Sequence, residues 1–228
     1  MKILSIVLSW LITILIPLAL TFLGLRLLLT HAFPQIEYRL PGFPKDDFGF
    51  NLQDRLKWSK ISIDYLTNNA SISFLGDLTF PDGTGLFNDR ELSHMQDVKN
   101  VVKPVLWIGY GDWFLLVGLG LWACFGDWWR QYVRGVWRGG LLMLGLVVLI
   151  GIFASINFWQ FFTDFHGLFF TGNSWQFLYS DTLIRLFPLR FWQDAFLFAG
   201  IIDVIGGLAF GLGLLSKRNL KSVPHSRS

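Results

Sequence analysis

Four long apolar runs constrain this chain more than any other feature. They cover residues 3–25, 105–125, 139–163 and 195–216, and two of them hold one acid each. Each run is long enough for a helix to cross about 30 Å of hydrocarbon, which takes about 20 residues. Composition agrees, since 53% of residues are hydrophobic and 15% charged, against about 25% charged in soluble domains. The sequence therefore predicts an all-α membrane protein with four transmembrane helices.

The predicted organisation is a single membrane domain over residues 1–228. We expect its helices at about 3–29, 104–125, 139–162 and 193–215. The remaining parts are an α-rich extracytoplasmic segment (30–103), an interfacial loop (163–192) and a cytoplasmic tail (216–228).

Orientation follows from where the basic residues cluster. Short loops rich in Lys and Arg stay in the cytoplasm. Such residues flank the first helix, occupy the 126–138 loop and follow the fourth helix: Lys2, Arg130, Arg134, Arg138, Lys217, Arg218, Lys221 and Arg227. Both termini are therefore predicted to be cytoplasmic, in a multi-pass protein of the cell membrane.

Local patterns predict structure within the 30–103 segment. Apolar residues at helical spacing indicate an amphipathic helix to about residue 66, with Asn51 as its cap. Residues 72–75 favour a short extended piece, and a turn follows at 81–85. Asn88 and Glu91 form a capping-box pattern, so a further helix runs toward residue 103, and Pro104 then opens the second transmembrane helix.

Two histidines stand out in the outward segments. Glu91, His94 and Asp97 are three residues apart, which puts them on one helix face with the imidazole between two carboxylates. His166 follows Asp164 in a phenylalanine-rich stretch typical of the membrane interface. Both histidines are therefore expected at the same membrane depth, where imidazole can move a proton near neutral pH.

Other interpretations of these residues stay open. His94 alone fits a surface histidine on an amphipathic helix, and His166 alone fits interfacial packing, so a non-catalytic binding or assembly protein is one alternative. A metal-dependent lipid hydrolase is another, with Asp164 completing a His/His/carboxylate site. We expect no metal, because no His-Glu-x-x-His or paired-cysteine motif is present.

Several function classes have no support in the sequence. There is no Gly-x-Ser-x-Gly elbow for a serine hydrolase. The one cysteine, Cys124, lies at the inner end of the second apolar run, away from the outward segments. We expect no cofactor, nucleotide or nucleic-acid partner. The intramembrane acids Asp112 and Asp203 favour hydrogen bonding between helices, with a cavity for a lipid head group as the alternative.

These outward motifs resemble a family of small bacterial membrane proteins. The block Leu-Phe-Asn-Asp-Arg-Glu-Leu-Ser-His-Met-x-Asp-Val at residues 86–98 carries the resemblance most specifically. Further matches are Phe48-Gly49-Phe50, Arg55, Tyr65-Leu66, Phe165-His166-x-x-Phe169-Phe170, Asn173-x-Trp175, Asp181-Thr182-Leu183-Ile184 and Pro188. The family includes the lipoprotein intramolecular transacylase, and the resemblance covers all but about the last dozen residues.

The resemblance implies an acyltransferase whose partners are membrane lipids and lipid-anchored lipoproteins. Its reaction would move the sn-2 acyl chain of a diacylglyceryl lipoprotein to the α-amino group of the N-terminal cysteine. The family's two essential histidines carry over to His94 and His166. The residues matched as substrate-binding candidates are Arg90, Glu91, Asp97, Asn173 and Trp175. One histidine would act as the base and the other as the acid. Glu91 and Asp97 would favour protonation of His94, which favours His94 as the base, and the reverse assignment stays open.

Overall fold

The computed structural model describes residues 2–170, 172 and 175–212. Within these ranges the regular structure is helical, apart from one isolated antiparallel bridge between Thr79 and Gly85. The helices are α1 (Lys2–Leu28), α2 (Ala32–Glu37), α3 (Leu52–Thr67), α4 (Ser73–Gly76), α5 (Asp89–Phe125), α6 (Trp129–Ile156), α7 (Phe158–Phe169), α8 (Thr182–Leu186) and α9 (Leu189–Gly211). Asn173 and the predicted 216–228 tail lie outside the described residues.

The four helices α1, α5, α6 and α9 are long and apolar enough to cross a membrane, as predicted. Many of their large side chains face outward; Phe114 and Phe125 of α5, for example, are 82% and 89% exposed. Apolar surface of this kind is stable only when lipid covers it. The all-α fold class with four spanning helices is therefore confirmed.

The chain divides into two compact units. Unit 1 comprises Met1–Gly24, Ile108–Ile152 and the stretch from Ala199 onward. Its apolar core is drawn from α1, α5 and α6 and the turn between the last two: Ile12, Ile16, Ala19, Leu20, Leu116, Leu119, Ala123, Trp128 and Met143. The acids Asp112 and Asp203 are both buried in this unit, and the Asp112 carboxyl oxygens have no hydrogen-bond partner among the described residues.

Glycines let the helices of unit 1 approach closely. A Cβ at Gly139 would lie 2.6 Å from Cβ of Ile16, and one at Gly140 would lie 2.4 Å from the backbone nitrogen of Gly211. Real side chains do not tolerate such distances, so these contacts need glycine. Small residues at helix crossings are the usual means of packing helices in lipid.

Unit 2 comprises Leu25–Trp107 and Phe153–Phe198. Its larger core joins α3, α4, α8 and the first turns of α5, and contains Trp58, Tyr65, Leu75, Leu86, Phe87, Met95, Leu183 and Leu186. A second cluster packs Phe33 and Tyr38 against Phe191 and Ala195.

Several local predictions in unit 2 are confirmed. Asn51 caps α3 in a full capping box with Asp54. Residues 81–85 form a turn in which Asp82 accepts from the backbone and hydroxyl of Thr84, and Gly83 has the positive φ that the turn requires.

The predicted boundary at Pro104 is wrong, because α5 runs unbroken from Asp89 to Phe125. A proline inside a helix removes one backbone hydrogen bond and costs about 3 kcal/mol. The turns before Pro104 bury His94, Met95 and Lys99, and this packing offsets that cost. At 37 residues, or about 55 Å, α5 is longer than the hydrocarbon layer.

Other predicted boundaries also shift. Residues 73–76 form the helix α4, not an extended piece, because helical geometry buries Leu75 completely. The third long helix covers Trp129–Ile156 in place of 139–162, so most of the predicted 126–138 loop is helical. The predicted 163–192 loop contains the end of α7 and all of α8, while α9 starts at Leu189, before the expected residue 193.

Candidate functional site

The first turns of α5 place His94 inside unit 2. The side chain of Asn88 accepts from the backbone of Glu91 at 3.0 Å, and Glu91 accepts from the backbone of Asn88 at 2.9 Å, so the predicted capping box is present. His94 follows one turn later on the same face and is buried. A well-capped helix start fixes the backbone from which the imidazole projects.

Glu91 also connects α5 to α8. Its second oxygen accepts from the backbone N–H of Leu183 at 2.6 Å, and the side chain is 1% exposed. The hydroxyl of Thr182 donates to the carbonyl of Leu86 at 2.5 Å, and the amide of Asn88 donates to Asp181 at 3.1 Å. Together these bonds tie residues 181–183 to the start of the helix that carries His94.

His166 lies on α7, which begins where the third long helix ends. Asn157 adopts an extended conformation and its side chain accepts from the backbone of Gln160, which separates α7 from α6. On α7, Nδ1 of His166 lies 2.8 Å from the carbonyl oxygen of Phe162. Because a carbonyl only accepts, Nδ1 carries the proton and Nε2 of the neutral ring is left with its lone pair.

The two imidazoles face each other. Their ring centroids are 6.2 Å apart and the planes are inclined by 21°. Aromatic rings enclose the pair: Phe170 and Phe177 contact His94 at 5.0 and 5.4 Å, and Phe162 and Trp175 contact His166 at 4.1 and 4.8 Å. The structure thus brings together the two histidines that the sequence singled out. We name this group the histidine pair.

The surroundings of the histidine pair favour neutral imidazoles. Burial lowers the pKa of His166 below its usual value, and the hydrogen bond to the Phe162 carbonyl opposes that shift. His94 is buried too, and its Nδ1 has no hydrogen-bond partner among the described residues. Burial among aromatic rings disfavours a charged imidazole unless a carboxylate compensates.

The expectation that Glu91 and Asp97 promote protonation of His94 is therefore wrong for Glu91. Both of its oxygens accept hydrogen bonds from backbone N–H groups, so its carboxylate braces the start of α5 and does not bond to the imidazole of His94. Asp97 is half-buried on the next turn of the same helix face. The shared face was a sound inference, but helical spacing does not reveal which hydrogen bonds a carboxylate already makes.

The remaining predicted binding residues differ in how they are placed. Trp175 is buried against His166. Arg90 is exposed and donates to the carbonyl of Gln176 at 3.2 Å, which puts it beside the segment that carries Trp175. Asn173 lies outside the described residues. Substrate binding by the five predicted residues stays a prediction: Arg90, Glu91, Asp97, Asn173 and Trp175.

The metal alternative required a carboxylate beside the histidine pair. Asp164 instead accepts from Gln160 at 2.8 Å, and Glu91 is fully used. No group of three or more potential metal ligands comes together among residues 2–170, 172 and 175–212. The ligand set expected for a metal-dependent hydrolase is therefore not assembled in the described part of the chain.

Sequence reasoning missed two contributors. The carbonyl of Phe162 fixes the tautomer of His166. Phe162 was predicted as the end of the third transmembrane helix and His166 as part of the loop after it, so the helical spacing of four residues between them was not expected. Residues 181–183 brace the start of α5; the motif they belong to was noted, but no local pattern says that it pairs with residues 86–91.

Comparison with known proteins agrees with this architecture. Residues 5–192 match the family model described as lipoprotein intramolecular transacylase Lit. An uncharacterised protein of Aquifex aeolicus (strain VF5) is 30% identical over 217 residues, which cover 93% of this chain and 96% of that protein. The in meso structure of the membrane integral lipoprotein intramolecular transacylase Lit from Bacillus cereus superposes with a TM-score of 0.66 at 16% identity, covering 92% and 94% of the two chains. The chain therefore belongs to the lipoprotein intramolecular transacylase family of integral membrane enzymes.

Proposed function

We propose that this enzyme moves the sn-2 acyl chain of a diacylglyceryl lipoprotein to the α-amino group of its N-terminal cysteine. The observation that carries the proposal is the histidine pair, with two buried imidazoles face to face and 6.2 Å between ring centroids. Exchanging an ester for an amide is thermodynamically downhill, so the reaction needs only proton transfer and positioning. Since amine and ester belong to one substrate molecule, proximity takes the place of a protein nucleophile.

His166 is the base in this proposal. The hydrogen bond from Nδ1 to the Phe162 carbonyl leaves Nε2 as the acceptor. The α-ammonium group has a pKa of about 8, so it first loses one proton to solvent and becomes the free amine that can attack. Nε2 of His166 then takes a second proton from this nitrogen as the nitrogen attacks the ester carbonyl. This reverses the assignment expected from the sequence, where His94 was the base.

His94 is the hydrogen-bond donor and acid for the two ester oxygen atoms. Neutral His94 carries one N–H, which donates to the carbonyl oxygen as its negative charge develops and then to the departing glyceryl oxygen. When the C–O bond breaks, the glyceryl oxygen gains one proton, which balances the one proton that the free amine lost on becoming an amide. The proton held by His166 replaces the one given by His94, so both rings return to the neutral state.

The aromatic surroundings direct the acyl group to nitrogen. Phe162, Phe170, Trp175 and Phe177 pack around the two imidazoles and leave mainly apolar surface next to them. Excluding water strengthens electrostatic interactions with the oxyanion and suppresses hydrolysis of the ester. An amine held on the same substrate then outcompetes water for the carbonyl carbon.

Unit 2 faces the outside of the cell in this proposal, and the turn between α5 and α6 faces the cytoplasm. The support is the run of Arg130, Arg134 and Arg138 after that turn. The test of this orientation is cysteine labelling. Cys124 is the one cysteine of the chain, so a Cys124→Ser variant has no thiol.

In this thiol-free variant, Asp82→Cys should react with an impermeant maleimide in intact cells. Asp127→Cys should react only after the cells are permeabilised. The opposite pattern contradicts the orientation.

The reaction is tested in a bacterium that makes only diacyl lipoproteins. Mass spectrometry of lipoprotein N-termini should show a lyso-form with one acyl chain on nitrogen once the protein is expressed. The His166→Ala variant is the matched control, because it should insert in the membrane and give no lyso-form. Unmodified diacyl lipoprotein in the presence of intact membrane-inserted protein would contradict the proposal and favour a non-catalytic binding role.

A further inference from the structure

Unit 2 contains a cavity that the proposed acyl transfer does not use. Its volume is about 340 Å³, within the range of small-molecule sites. It lies between the connector that precedes α3 and the first turn of α3. The lining residues are Tyr38, Phe43, Pro44, Lys45, Asp46, Phe50, Asn51, Leu52 and Arg55, and neither histidine of the pair is among them.

Arg55 is the unusual member of this lining. The residue is 7% exposed. Its Nη1 donates to the carbonyl of Pro44 at 2.7 Å, and its Nε has no hydrogen-bond partner among the described residues. The guanidinium instead lies near the rings of Phe43 and Tyr38, at 5.3 and 5.9 Å. A buried guanidinium ordinarily has a carboxylate or phosphate opposite it.

Asp46 is the carboxylate of the cavity, and it is already neutralised. Its two oxygens each lie 3.2 Å from a nitrogen of Arg185, and the backbone N–H groups of Phe48 and Phe50 donate to it at 3.1 and 2.6 Å. The Asp46 carboxylate also attracts Arg55. Three basic side chains, Arg55, Lys45 and Arg185, therefore share this one carboxylate, which leaves a local excess of two positive charges at the cavity. The cavity is therefore suited to an anion.

The rim of the cavity is apolar, which indicates the source of the anion. The large side chains of Ile36 on α2, Leu40 and Phe48 on the connector and Leu52 at the start of α3 are exposed, with Ile36 at 62% and Phe48 at 52%. Only the short helix α2 separates this connector from α1, which is long and apolar enough to span a membrane. Exposed apolar residues, aromatic rings and basic side chains next to a spanning helix are the composition of a membrane interface.

We propose that this cavity binds the phosphate of an anionic phospholipid head group, with Arg55 as its buried ligand and Lys45 at its entrance. The phosphate oxygens accept from the guanidinium and the ammonium group, while the acyl chains lie along the apolar rim. The site takes a lipid other than the lipoprotein substrate, and it holds the connector against the membrane surface. Its existence does not depend on the acyl-transfer proposal.

The test is lipid titration of the full-length protein in an uncharged maltoside detergent. Short-chain phosphatidylglycerol should bind and raise the thermal unfolding midpoint, whereas diacylglycerol with the same chains should not. Because hydrogen bonds to charged groups are worth about 1.5–3 kcal/mol, Arg55→Gln should weaken phosphatidylglycerol binding about tenfold or more. Inorganic phosphate forms a separate arm: a shift with phosphate alone and none with the lipid supports an anion site that takes a soluble ligand.

Two further variants complete the design. Lys60→Gln removes an exposed positive charge from the same helix, away from the cavity lining, and should bind phosphatidylglycerol as the wild type does. Lys45→Gln changes an exposed residue that has no role in the core, so it tests the site even if Arg55→Gln fails to fold, and it should weaken binding several-fold. Equal affinity in the wild type and Lys45→Gln, or an equal shift with diacylglycerol, would overturn the proposal.

Discussion

The two units of this enzyme use polar groups in different ways. In unit 1, hydrogen bonds join one helix to another at close range, as where Ser9 donates to the carbonyl of Gln131 at 2.6 Å and Thr13 lies 3.4 Å from the carbonyl of Gly135. In unit 2, buried polar side chains position other side chains, as where Glu91 braces the helix that carries His94. The first pattern holds helices together, and the second positions the histidine pair.

Glycine and histidine mark the same contrast. Unit 1 depends on Gly135, Gly139 and Gly140, where a side chain would overlap a neighbouring helix. Unit 2 depends on two imidazoles held by capped helices. Damage to unit 1 should therefore reduce stability, whereas damage to the histidine pair should remove activity from a folded protein.

The largest effect is expected at the histidine pair. His94→Ala or His166→Ala should lower turnover by at least about 100-fold, the lower end of what general acid–base catalysis contributes. His31→Gln is the matched control, because His31 lies in unit 2 bonded to Asp64 at 2.6 Å and is remote from the proposed chemistry. Turnover is measured as lyso-form product from purified diacyl lipoprotein. Equal turnover in His166→Ala and His31→Gln would show that the histidine pair has no special role in activity, and would contradict the contrast drawn between the two units.

A second effect concerns pH. Since the pKa of His166 is lowered, the ring stays neutral below its ordinary pKa of about 6.5 and protonates only in more acid solution. Loss of the free amine should lower kcat/KM about tenfold per pH unit below about pH 8. Protonation of His166 should add a second limb with its midpoint below about 6.5, beyond which the fall steepens to about a hundredfold per pH unit. A second limb centred above 6.5 would mean that His166 is not the base.

A stability effect is expected at the glycine crossing of unit 1. Gly140→Val places side-chain atoms on the backbone of Gly211, and overpacking costs about 1–3 kcal/mol or more. Gly145→Ala is the control, because a Cβ there meets nothing within 4 Å. Thermal unfolding in detergent should show a lower midpoint for the first variant only. If both variants unfold at the wild-type midpoint, close packing at glycine is not what holds unit 1.

The smallest effect is expected at the brace. Glu91→Gln replaces one acceptor oxygen by a donor that faces a backbone N–H, and an unsatisfied buried group costs about 1–3 kcal/mol. Asp89→Asn, an exposed change in the same helical turn, should cost less than about 1 kcal/mol. Chemical denaturation measures both. A Glu91→Gln variant as stable as Asp89→Asn would show that the bonds to Asn88 and Leu183 do not support unit 2.

Much of unit 1 could be predicted from sequence because hydrophobicity and length decide whether a helix spans a membrane. The apolar runs at 3–25 and 139–163 predicted α1 and most of α6, because hydrophobicity alone, without any information on packing, identifies such helices. The exact ends could not be predicted in the same way. Pro104 is a strong local signal for a helix boundary. The helix α5 nevertheless continues past Pro104, because the turns before it are packed around His94 and Lys99.

In unit 2 the sequence predicted which residues matter better than how they are arranged. Capping patterns at Asn51 and Asn88 are local, so they were predictable. The tautomer of His166 depends on the carbonyl of Phe162, and the position of His94 depends on Leu183, which is far away along the chain. The bond between Glu91 and Leu183 is long-range and leaves no trace in residue spacing. The bond between His166 and Phe162 spans only four residues, but it depends on a helix, α7, of which most was predicted as a loop.

The most direct measurement of the central claim is a double-mutant cycle on the histidine pair. Lyso-form production is compared for the wild type, His94→Ala, His166→Ala and the double variant, each inserted in the same membrane. If the two imidazoles act as one proton-transfer unit, each single variant should fall to nearly the level of the double variant, because residues that act together are not additive. Losses that multiply independently, or a single variant that keeps the wild-type rate, would contradict the account.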